Sequence, residues 1–188
     1  DNIPEIKNLM RTLETQGRLN RTVEFLPADA ELDARARLGK GLTRPEIAVL
    51  LAYAKLALFD DLIASSVPDD PYLGRELQRY FPAIMREQYA DAIAAHRLRR
   101  EIVATQLGNA IVNRCGPAVI TRLQEETGRS VADIANAYAL TRDGFGFLDL
   151  NTAIDTLDAK IPGGVQNSLY ARVQNAILAR MVWFLRRT

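Results

Sequence analysis

Histidine and cysteine are almost absent from this sequence: His96 and Cys115 are the only residues of their kinds. A lone cysteine makes no internal disulfide and no multi-cysteine metal cluster, and it suits a reducing compartment such as the cytoplasm. A lone histidine removes every two-histidine metal site and leaves any His-based triad resting on one residue. Charge of one sign is also lacking. The 24 basic and 23 acidic residues leave a formal charge of +1, interspersed so that no long-range field awaits a polyanion, which argues against nucleic acid as a partner. No apolar run approaches the roughly 18 residues a bilayer span needs, so no membrane association is expected. The opening Asp1-Asn2-Ile3-Pro4 has neither a basic n-region nor an apolar h-region. Period-two Val-Ile-Thr runs are missing, and so is any Gly-x-Gly-x-x-Gly, which excludes strands and a Rossmann nucleotide site.

What is present favours helix. Alanine is abundant, and Lys7, Lys40, Lys55 and Lys160 are the only lysines among the basic residues, so Ala, Leu, Arg and Glu set the local preference. The spacing predicts an all-α bundle or array of about seven to nine helices with no sheet. One domain is expected over 1–188, with connecting helices over 1–41 and the main bundle over 42–188. A first helix from about Pro4 to Gly17 places Ile6, Leu9, Met10 and Leu13 on one face, and a polar helix follows from about Asp29 to Leu38. Thr43-Arg44-Pro45-Glu46 has capping-box spacing with Pro in the first turn. Behind it the nearly all-apolar stretch from Ile47 to Phe59 reads as a central core helix with Leu50 and Tyr53 buried.

From Pro82 to Arg114 nothing interrupts helical propensity before Gly108. As one rod those residues would span roughly 48 Å, against a radius of gyration near 16 Å for a compact domain of this length. The rod therefore breaks, around His96, or the domain is elongated. Gly116-Pro117 stops the helix, Ser130 caps another, and Val165, Leu169, Val173, Ile177, Met181 and Leu185 recur at helical spacing to the end. The opening without Met and a last helix without a Gly or Pro stop make the chain an expected segment of a larger protein.

Candidate chemistry is sparse. Gly39-Lys40-Gly41-Leu42-Thr43 lacks the upstream glycine and preceding strand of a phosphate loop, so it reads as a helix cap and turn. Asp60-Asp61, Asp69-Asp70 and Glu125-Glu126 fall at helix ends, where carboxylates cap and solubilise. His96 and Cys115 are read as structural. No catalytic, cofactor or metal residue is expected. One segment stands apart: on a helix Arg97, Glu101, Thr105, Asn109 and Asn113 recur every four residues as a polar stripe. Short amides and Thr are mediocre helix formers, and their alignment suggests hydrogen bonding to another helix, another domain or a ligand, the alternative being a solvated face. Arg97, Arg99 and Arg100 beside it lack the interleaved aromatics of a single-strand binder, though a free-standing helical adaptor or nucleic-acid-binding module is the alternative reading.

The stretch from Gly41 to Lys55, with Asp70-Pro71-Tyr72-Leu73, Tyr80-Phe81-Pro82, His96 to Arg114, Arg122 to Gly128 and Trp183-Phe184-Leu185-Arg186, resembles the C-terminal region of the large bacterial NAD-dependent glutamate dehydrogenases. The resemblance covers the chain from about Leu13 onward. It implies a parent enzyme that oxidatively deaminates L-glutamate with NAD, its partners here being the catalytic and N-terminal domains of the same polypeptide, in a homo-oligomer. None of the family's catalytic or nucleotide motifs is found here; Lys55 lies in an apolar helix rather than in the glycine-containing setting of the catalytic lysine. The segment is thus expected to pack, assemble or regulate rather than to react.

Overall fold

A computed structural model describes residues 2–187 and shows a helical array with no strand among them. Eight helices have at least seven residues: α1 (Ile3–Thr15), α2 (Asp29–Arg37), α3 (Arg44–Ile63), α7 (Arg99–Cys115), α8 (Val119–Thr127), α9 (Val131–Gly144), α10 (Phe147–Asp155) and α11 (Gly163–Leu185). Three shorter ones, α4 (Arg75–Tyr80), α5 (Ala83–Gln88) and α6 (Ala90–Ala94), fill the interval before α7.

Local chemistry sets several boundaries. Glu46 reaches back to accept the Thr43 N–H at 2.6 Å, completing the capping box at the start of α3. Ser130 and Asp133 do the same for α9, each side chain accepting from the other's backbone N–H at 3.1 Å. Asp70 accepts from the N–H groups of Tyr72 and Leu73, fixing the turn into α4. At the end of α7, Gly116 takes φ +90° and ψ 164°, a conformation open to glycine alone.

Packing makes α3 the spine. Its Ala54, Leu58 and Leu62 join the main core, with Leu107 and Ile111 of α7, Ile134 and Tyr138 of α9, and Ile177 and Met181 of α11. Its Leu50 and Ala57 belong to a second core formed with Leu9, Met10 and Leu13 of α1, Leu32 of α2 and Leu42. Two details of the sequence reading need correction. Tyr53 is only half-buried, because its hydroxyl reaches the edge of the fold to donate to Glu24 at 2.6 Å. Nor is α3 enclosed all round, since Leu56 is 61% exposed.

The long helical stretch after Pro82 does break. Its residues after Tyr89 fold back, so that Ile93 packs on Leu77 and Val103 in a small third core. The chain then turns over 95–98, where His96 Nδ1 accepts the Leu98 N–H at 3.1 Å and the imidazole leans on Phe81 with ring centres 5.8 Å apart. The sole histidine thus ends one segment and prepares the start of α7.

Candidate functional site

Four of the five predicted stripe residues share the solvent face of α7: Glu101, Thr105 and Asn113 are exposed and Asn109 is half-buried. Arg97 lies in the turn before the helix, outside the four-residue register, because the His96 turn delays the helix start. Among the described residues none of these five side chains has a hydrogen bond or ion pair within the chain. Their polarity is therefore unanswered from inside.

Two depressions flank this ridge. Thr105, Gly108 and Asn109 border an apolar groove of about 290 Å³, walled by Lys55, Leu56 and Phe59 of α3. On the other side Asn109 and Asn113 border a polar cleft of about 410 Å³, lined also by Arg79, Gln106, Arg114 and Asn151. Both volumes fall near the lower limit of small-ligand sites. Asn109 stands between the two. Arg114 is held across the cleft mouth, donating to Asn151 Oδ1 at 3.1 Å.

Beneath the polar cleft lies a buried ion network that sequence reasoning missed. Glu76 of α4 and Arg142 of α9 are 4% and 5% exposed, and the guanidinium donates to the carboxylate at 2.7 Å. Arg142 also donates to Asp143 at 2.7 and 3.0 Å, and Arg79 donates to Glu76 at 2.6 Å. Arg79 closes the ring with a longer bond to Asp143 at 3.4 Å, and the Tyr72 hydroxyl donates to the same carboxylate at 2.8 Å. Burial alone would raise the Asp143 carboxyl, but hydrogen bonds from Arg142 and Tyr72 outweigh it and hold the group at about 2. Burial likewise opposes the charge on Arg142, yet its bonds to Asp143 and Glu76 keep it more firmly protonated than an ordinary arginine. Two guanidinia face two carboxylates, each committed to the others. The arrangement clamps α4 to α9 and leaves no spare acid or base for proton transfer.

The other candidates resolve as structural. Cys115 is buried in the main core, where loss of solvent pushes its thiol up to about 12, so it is no nucleophile at neutral pH. Asp61 pairs with Arg18 at 2.6 Å, and Glu126 with Arg186 at 2.7 Å. Arg100, offered above as part of a basic patch, pairs with Asp69 and donates to the carbonyls of Ile63 and Ser65 at 2.9 and 3.2 Å. No group of three or more His, Cys, Asp or Glu placed to hold a metal occurs among the described residues. No helix among them is long and apolar enough to cross a membrane.

The described residues form an all-helical array whose α7 ridge carries polar side chains with no partner inside the chain, and comparison with known proteins defines its family. The family described as "Glutamate dehydrogenase, C-terminal" matches residues 39–188, and the chain belongs to that family. It is 43% identical over 186 residues to an NAD-specific glutamate dehydrogenase of Pseudomonas aeruginosa, covering 99% of this chain but 12% of the relative. It is 43% identical over 181 residues to the NAD-specific glutamate dehydrogenase of Halomonas elongata, covering 96% of this chain and 11% of the relative. A Mycobacterium tuberculosis protein of the same name is 39% identical over 128 residues, covering 68% of this chain and 8% of the relative.

Proposed function

We propose that this chain is a non-catalytic helical domain of an NAD-dependent glutamate dehydrogenase, whose reaction converts L-glutamate, NAD and water to 2-oxoglutarate, ammonium and NADH. Its own work is to dock on the rest of that polypeptide through the exposed face of α7, supporting assembly of a cytoplasmic homo-oligomer. The carrying observation is the pattern of similarity: nearly the whole chain aligns, yet it accounts for only 12% of the first relative. The unanswered amides Asn109 and Asn113 supply the surface.

The residues in hand do not fit NAD. Its pyrophosphate needs backbone N–H groups at a glycine-rich strand-to-helix turn, and the described residues form no strand. We infer that cofactor and substrate bind in the remainder of the enzyme. The adaptor reading with nucleic acid as partner is weakened by Arg99 and Arg100, which are engaged with Asp69.

The test is made in the full-length enzyme carrying Asn109→Ala with Asn113→Ala. Alanine favours helix, so α7 should stay folded. Two lost hydrogen bonds remove about 1–3 kcal/mol from the contact. Glutamate-dependent NAD reduction should fall several-fold, or the oligomer should dissociate at lower dilution. Unchanged kinetics together with an unchanged oligomeric state would defeat the docking role.

A further inference from the structure

One part of the molecule is built unlike the rest. Every residue from 82 to 92 is exposed, and between Pro82 and Ala95 only Ile93 is buried. This arm nevertheless presents large apolar side chains: Ile84 is 64% exposed, Tyr89 55% and Met85 38%, with Tyr80 at its root 54% exposed. Its helices α5 and α6 have six and five residues. Isolated helices below about 12–15 residues are marginal in water even with favourable sequences. Elements this short, anchored beneath only through Ile93, need a partner to hold their shape.

We propose that residues 82–98 form a docking clip, seated in the part of the same polypeptide that lies outside this domain. The proposal rests on the reading of the chain as part of a larger enzyme, and it names a second surface for that contact, distinct from the α7 ridge. Two observations choose the occupant. First, the domain is 12% of the length of its first relative, so most of such a chain is available as a covalently linked partner. Second, the apolar surface is small. At roughly 200 Å² per fully exposed large side chain, Tyr80, Ile84, Met85 and Tyr89 offer on the order of 400 Å². A partner in the same chain is held at high effective concentration and does not bear the full entropy loss of association, so a small apolar patch suffices. The root of the arm suits this role. Ile93, Leu77 and Val103 form a fixed base, and the His96 turn joins it to α7.

The experiment places a photoactivatable benzophenone amino acid at Met85 of the full-length enzyme. Irradiation should give an intrachain cross-link, running at monomer mass on a denaturing gel and mapping by mass spectrometry to a peptide outside these 188 residues. Cross-linked dimers, cross-links confined to this segment, or none at all would overturn the proposal. Ile84→Ser with Tyr89→Ser gives an independent readout: amide exchange over 83–94 should quicken at least about tenfold while α7 stays protected, and unchanged exchange counts against the clip. The two readings fail separately. A missing cross-link with impaired α7 variants removes the clip alone, while an intrachain cross-link with silent α7 variants removes the ridge alone.

Discussion

Glu76→Leu should be among the most damaging single changes outside the apolar core. It takes the carboxylate from Arg142 at 2.7 Å and from Arg79 at 2.6 Å. Removing one partner of a buried ion pair costs about 3–5 kcal/mol, because the other charge is left in a medium that solvates it poorly. Here Asp143 still accepts two bonds from Arg142, which places the expected loss near the lower end, at about 3 kcal/mol. For a domain of this size that lowers the melting temperature by about 6–12 °C. Arg142→Leu alone should cost a similar amount. The two together should cost clearly less than their sum, by about 2 kcal/mol or more, since neither charge then remains stranded. Urea denaturation followed by circular dichroism at neutral pH measures all three variants. A Glu76→Leu loss below about 1 kcal/mol, or simple additivity in the double variant, would show that the network is solvated and does not clamp α4 to α9.

A β-carbon at Gly108 would lie 3.8 Å from Leu58 Cγ and 4.0 Å from Leu62 Cδ1, ordinary contact distances, so Gly108→Ala should stabilise the helix by about 0.5–1 kcal/mol. Gly116→Ala, at φ +90°, should instead cost about 1–3 kcal/mol; urea midpoints moving in the same direction for both would contradict this. Asp143 is held at about 2 from an ordinary 3.8, so the unfolded chain binds its proton more readily. The resulting stability is fully present above about pH 4 and is lost as pH falls towards 2, amounting to about 1–2 kcal/mol after allowance for partial solvent contact. Asp143→Asn should flatten that portion of the stability–pH curve, and an unaltered slope would refute the assignment.

Much of the architecture could be read from residues whose partners are close in sequence. Thr43 with Glu46 and Ser130 with Asp133 satisfy helix starts within one turn, and Gly116 ends α7 by its own backbone freedom. The stripe was legible for the same reason, since helical spacing alone aligns Glu101, Thr105, Asn109 and Asn113. What lay hidden depends on distant pairing. Glu76 and Arg142 are 66 positions apart, and nothing near Glu76 distinguishes it from a surface acid on a short helix. The break at Tyr89 was equally silent. No Gly or Pro marks it, and the chain folds back because Ile93 finds Leu77 and Val103, an instance of tertiary packing overriding local preference.

The double membership of α3 has a mechanical consequence. This helix of 20 residues is a rod roughly 30 Å long. Leu50 and Ala57 face the core shared with α1 and α2, while Ala54, Leu58 and Leu62 face the core shared with α7. Close-packed interiors yield little under load. A change in how α1 packs on α3 would therefore be felt on the face of α3 that supports α7, beneath the ridge that carries Thr105 and Asn109.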